Sequence, residues 1–137
     1  MKILKLISVL VLVALNQVSY SSECWITENY KGYTAKSRDG FTFVKDGMTL
    51  TKYVIVIDGK SSGVIGSDIK NYLQTAENSI LALDVNEQGS VIETWSVFPE
   101  SKKALYTKTT NGYHGFDGVL SFVGDVIGTC KSEMEIH

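Results

Sequence analysis

The sequence is short of most side chains on which common chemistries depend. Of its 137 residues, two are histidine, two cysteine, one proline and one arginine, Arg38, and 13 basic side chains nearly cancel 15 acidic ones. A balance this close to neutral excludes a strongly cationic nucleic-acid binder. A lone guanidinium leaves few bidentate clamps for phosphate or carboxylate. With only His114 and the terminal His137, no histidine-rich zinc centre can be assembled, and a general base would have to be His114 or a carboxylate. There is no Cys-x-x-Cys, and neither cysteine has a histidine at ligand spacing, so neither a redox pair nor a metal site is expected. No internal repeat, low-complexity stretch or interdomain linker is visible. The length supports one compact domain and excludes a multidomain enzyme, a full (β/α) barrel and most dinucleotide-binding dehydrogenases.

What is present begins with an address. Lys2 and Lys5 precede an apolar run from Leu6 to Leu15, and Ser19 and Ser21 then supply small residues at alternate positions. This is the pattern of a secretory signal peptide over residues 1–21, cleaved after Ser21. The apolar run is too short to span a bilayer, which takes about 20 residues. Glu23, standing directly before Cys24, argues against a lipoprotein anchor. Residues 22–137 then carry eleven basic against fifteen acidic side chains. They are expected to form a single disulfide-bonded domain, secreted or periplasmic, without nucleic-acid or membrane partners once the signal is removed. Cys24 opens that domain and Cys130 nearly closes it, so an oxidising destination joins them.

Turn signals punctuate the chain. Asp-Gly occurs at 39–40, 46–47, 58–59 and 117–118, and Asn86–Gly89, Pro99–Ser101 and Asn111-Gly112 add three more. Between them lie short runs rich in Val, Ile, Thr, Tyr and Phe, the pattern of antiparallel strands joined by hairpins. The clearest block, Ile80 to Thr110, reads as a three-stranded meander. In its middle strand Val91, Glu93, Trp95 and Val97 share one face and Ile92, Thr94, Ser96 and Phe98 the other, both of mixed polarity. One short helix is expected near 68–76, capped by Ser67, with Ile69, Tyr72, Leu73 and Ala76 on one side. Gly124 and Gly128 interrupt the last strand and predict bulges or close packing. The fold class is therefore all-β. A bridge between first and last strands favours a small antiparallel meander closing into a barrel, with a two-sheet β-sandwich as the alternative.

Three motif matches fail on their own chemistry. Gly59-Lys60-Ser61-Ser62-Gly63 has the letters of a nucleophile elbow, but no helix follows at once to build an oxyanion hole. The same segment lacks the first glycine of a phosphate-binding loop, since Val54 stands there. Asp84–Gly89 resembles half a calcium loop, but its twelfth position is Trp95 instead of a bidentate carboxylate. All three read as hairpin loops.

The most unusual stretch is Gly112-Tyr113-His114-Gly115-Phe116-Asp117-Gly118, where three glycines carry two aromatics and an imidazole through a loop. Aromatics held this way suit contact with a ligand or protein partner. Alternatively, Tyr113 and Phe116 turn inward and plug the barrel. Tyr30-Lys31-Gly32-Tyr33 is a second aromatic–glycine stretch. The expected function is an exported, non-enzymatic binding module without cofactor or metal, contacting an unknown small molecule or protein through Tyr113, His114, Phe116, Tyr30 and Tyr33. The alternative is an inhibitor or interaction protein acting on a secreted hydrolase. A third class is a small secreted hydrolase working through carboxylates, with Asp117 and Glu93 as the nearest candidates.

Overall fold

The computed structural model describes residues 22–48 and 52–130, which form one antiparallel sheet. Its nine strands are β1 (Glu23–Lys36), β2 (Phe43–Gly47), β3 (Lys52–Ile57), β4 (Gly63–Ile65), β5 (Tyr72–Ala76), β6 (Ser79–Val85), β7 (Ser90–Phe98), β8 (Lys103–Asn111) and β9 (Gly118–Thr129). Across the sheet the order is β4-β3-β1-β9-β8-β7-β6-β5, with β2 also beside β1. β2 and β3 pair with opposite halves of β1, at Lys31–Ala35 and Glu23–Glu28 respectively, and act as one interrupted strand. The whole is an up-and-down meander whose last strand returns to its first. One sheet, not two, curls into a barrel that stays unsealed only between β4 and β5. At that seam side chains replace the backbone ladder. Gln74 Oε1 accepts the Gly59 N–H at 2.8 Å, and the Ser67 and Tyr72 hydroxyl oxygens lie 2.8 Å apart.

Cys24 and Cys130 are bonded, with their Cα atoms 5.4 Å apart. The bridge fastens the opening of β1 to the residue just past β9, and it fits an oxidising compartment. The expected signal segment 1–21 and the tail 131–137, including His137, lie outside the described residues. Among the described residues no helix is long and apolar enough to cross a membrane.

The two mixed faces of β7 are resolved by their neighbours. Trp95 lies between Ile80 of β6 and Tyr106 of β8, and Glu93 between Ala82 and Lys108, so this face points inward. Inside, Tyr30 meets Tyr53 and Trp95 edge to face at 5.7 and 5.5 Å, and Trp95 packs on Tyr106 at 4.2 Å. Such aromatic pairs add about 0.5–1.5 kcal/mol each beyond the area they bury. Gly124 makes room for this cluster, since a Cβ there would stand 2.7 Å from the Tyr30 ring. The expected irregularity near Gly128 is a bulge, because Gly128 faces Ile26 while Val126 faces Thr27, leaving Ile127 unmatched.

Two local expectations are corrected. Residues 68–76 hold no helix: Tyr72–Ala76 is β5, paired with β6. The Ser67 hydroxyl does accept the Ile69 N–H at 3.2 Å, as an N-cap would. However, Asn71 takes a left-handed φ of 69°, which ends any helix, and β6 offers a ladder instead. Tyr72 then turns inward while Leu73 is 49% exposed, a period of two, not 3.6. Asp46-Gly47 is likewise no turn. It continues β2 opposite Lys31 and Gly32, and the reversal occurs earlier, around Gly40 and Phe41.

Candidate functional site

The loops around residues 37–41, 86–89 and 112–118 gather at one end of the barrel. Asn86 Nδ2 donates to the Tyr113 hydroxyl at 2.8 Å, and Ser37 Oγ donates to the His114 carbonyl at 2.7 Å. The Asp117 carboxylate accepts the Tyr113 N–H at 2.6 Å, and the Asp117 carbonyl accepts the Ser37 N–H at 2.8 Å. Arg38 lies over the Phe116 ring, 5.5 Å from its centroid. These contacts hold a glycine-rich loop in one place.

Beneath it opens a cavity of about 380 Å³. Val91, Leu120, Val119 and Phe116 supply apolar walls, Tyr113 a polar edge, and Lys36 and Lys108 the charge. Gly118, opposite Thr110 on one side and Lys36 on the other, is the point of closest approach. A Cβ there would stand 1.9 Å from the Ala35 carbonyl, and its φ of 147° is one that glycine accommodates.

Below the cavity lies a buried acid. Glu93 is 2% exposed. Its Oε1 accepts the Trp95 indole N–H at 2.6 Å and the Tyr72 hydroxyl, with Ser67 Oγ 3.1 Å away; its Oε2 accepts the Tyr106 hydroxyl at 3.1 Å. A buried carboxylate costs several kcal/mol to desolvate, and these donors offset that cost. Burial first, and then Glu93 (through its hydrogen bond at Tyr72 and its charge at Tyr106 and Tyr53), pushes these three phenols up from their ordinary range. Burial alone dominates at Tyr30, pushed up to about 12. A second, smaller cavity of about 140 Å³ reaches Glu93 from the seam side, and Lys108 lines it too. Although Lys108 stands directly opposite Glu93 in the β7–β8 register, the two form no ion pair. The carboxylate turns instead toward the aromatic donors.

The anticipated binding residues are thus separated. Tyr113 and Phe116 line the cavity, and Phe116 is 64% exposed, not folded into the core. His114 has a left-handed φ of 56° and is exposed, and its part in the loop is played by its carbonyl. Tyr33 lies on the outer face of β1. Tyr30 is buried in the aromatic cluster, donating to Thr27 Oγ1 at 2.6 Å. Neither lines the cavity.

The failed motifs also have plain structural roles. Ser62 Oγ donates to the Gly59 carbonyl at 2.8 Å inside the turn between β3 and β4. Asn86 Oδ1 accepts the Gln88 and Gly89 N–H groups within the β6–β7 hairpin. Among the described residues no group of three or more His, Cys, Asp or Glu is placed to hold a metal ion. The two lysines of the cavity escaped sequence reasoning because strand alternation alone does not say which face is enclosed. Comparison with protein families, curated proteins and solved structures returns no match.

Proposed function

We propose that the chain is an exported, non-enzymatic binding module that seats a small, largely apolar molecule in the cavity beneath residues 112–118. The observation carrying this reading is that cavity. Its volume of about 380 Å³ falls in the range of small-molecule sites. The hydrogen bonds fixing the loop mean little ordering remains to be done on binding, which favours affinity. Support for a non-catalytic role comes from Glu93, whose oxygens are already engaged by tyrosine and tryptophan donors. The Cys24–Cys130 bridge supports secretion or a periplasmic location.

The test is a backbone-amide NMR titration with a panel of small apolar molecules. Shifts are expected at Val91, Thr110, Tyr113, Phe116 and Leu120. A panel that shifts nothing, or shifts only residues elsewhere, overturns the reading. A second reading, a protein partner such as a hydrolase to be inhibited, is favoured by one specific feature. β2 pairs only with β1, and Phe41, Phe43 and Val44 beside its free edge are 60%, 66% and 45% exposed. A pull-down from the exported fraction that recovers one stoichiometric protein, lost on Phe43→Lys, would establish it in place of the first.

A further inference from the structure

We propose that the molecule held in the barrel-end cavity carries a carboxylate, and that the ammonium groups of Lys36 and Lys108 hold it while the apolar walls take the rest. The inference rests on the binding reading above and specifies its ligand class, a small amphiphilic acid.

Four observations converge. Both lysines line the same cavity and are half-buried, so each gives up part of its hydration. Neither side chain makes a hydrogen bond or ion pair with any described residue. No carboxylate lines the cavity. Acids around the site leave the lysines unpaired: Glu93, opposite Lys108, takes the Tyr72, Trp95 and Tyr106 donors, Asp117 takes the Tyr113 N–H, and Asp68, which lines the smaller seam-side cavity with Lys108, forms no ion pair with it.

The register shows how the two charges meet. Lys36 of β1 faces Gly118 of β9, and Lys108 of β8 faces Leu120, two residues further along β9. β9 alone separates their strands, so the backbones are roughly 10 Å apart laterally. Two extended lysine stems close such a gap across the inner face of β9, where Gly118 beside Lys36 carries no side chain and Leu120 beside Lys108 is part of the apolar wall. An anion lying over the Gly118–Leu120 stretch of β9 would thus have Lys36 on one side and Lys108 on the other. The remaining walls, Val91, Val119, Leu120 and Phe116, suit a hydrocarbon or aromatic body.

Isothermal titration with octanoate and 1-octanol, which share a tail and differ in head-group charge, tests the inference. Octanoate is expected to bind roughly five- to fifty-fold more tightly than 1-octanol, with the preference shrinking as salt rises. In Lys36→Gln/Lys108→Gln the preference should vanish, the two probes then binding alike, while the melting temperature stays put. Equal affinity of wild type for the two probes overturns the carboxylate inference and leaves the cavity a binding site. A preference that survives in the double variant also overturns it, because the charge would then be read elsewhere. Binding of neither probe overturns the inference together with the binding reading.

Discussion

Raising the pH should unfold this barrel cooperatively through its buried phenols. Tyr30, Tyr72 and Tyr106 are each 5% exposed or less, and all three have a folded-state pKa above the ordinary value of 10. A raised phenol pKa means that the folded chain holds the proton more tightly than the unfolded chain. The corresponding stability is fully present below about pH 10 and is lost as pH climbs toward the folded value. Each tyrosine contributes a slope of about 1.4 kcal/mol per pH unit in that window, so three give about 4 kcal/mol per unit. Residual screening at the barrel seam beside Tyr72 makes this a ceiling. Against a domain stability of roughly 5–15 kcal/mol, unfolding is expected between about pH 11 and pH 13. Tyrosinate absorbance and far-ultraviolet circular dichroism, followed on one sample at constant ionic strength, should change together. Tyr106→Phe should remove one proton from the slope. Smooth titration of every phenol near pH 10, with the sheet signal intact, would refute the reasoning.

Other outcomes follow from the same packing. Glu93→Ala orphans the Trp95 indole N–H and the Tyr106 hydroxyl and leaves a hole, at a cost of about 3–6 kcal/mol in urea unfolding; a loss under about 1 kcal/mol would mean the carboxylate does not organise the core. Gly124→Ala pushes a methyl against the Tyr30 ring and should destabilise by about 1–3 kcal/mol, measured the same way. Reducing the Cys24–Cys130 bridge frees a loop with a sequence separation of 106 residues, and should lower stability by about 2–5 kcal/mol, read as a drop in urea midpoint. Tyr113→Ala with Phe116→Ala should weaken octanoate binding about tenfold or more while the melting temperature barely moves, since Phe116 is 64% exposed. A large thermal shift with unaltered binding would place those rings in the core.

Much of the fold is legible in the sequence because strand alternation and turn chemistry act locally. The meander over β6, β7 and β8 follows from Asn86–Gly89 and Pro99–Ser101 between β-prone runs, and the pairing of β1 with β9 follows from the two cysteines. Where local and long-range preferences conflict, the long-range partner decides. Residues 68–76 have an apolar spacing compatible with a helix, but β6 needed a neighbour and Asn71 accommodated the turn into β5. The loop at 112–118 stands out by composition alone. The lysines beneath it do not, since Lys36 and Lys108 look like any solvated charge until the barrel closes around them. Glu93 is similar: its only local sign is that Trp95 follows two residues later on the same face. Its other donors, Tyr72, Tyr106 and Ser67, come from distant segments.

The interior also explains why a lysine and a glutamate facing each other on adjacent strands remain apart. Were Lys108 to pair with the already buried Glu93 inside the barrel, its own charge would also have to leave water, and the attraction would often fail to repay it. The neutral donors of Tyr72, Tyr106 and Trp95 satisfy the carboxylate without bringing a second charge into the core. Lys108 is left unpaired among the described residues and lines both the loop-end cavity and the smaller one beside Glu93. The aromatic cluster thereby does two things at once. It stabilises a buried acid that would otherwise be costly, and it prevents that acid from neutralising the cation at the cavity. An interior that is aromatic at the level of Trp95, acidic at Glu93 and cationic beneath the loop is polarised along its axis. An amphiphilic anion entering at the loop end would meet the lysines before it met the carboxylate, and the Glu93 charge below would keep its head group from sinking further.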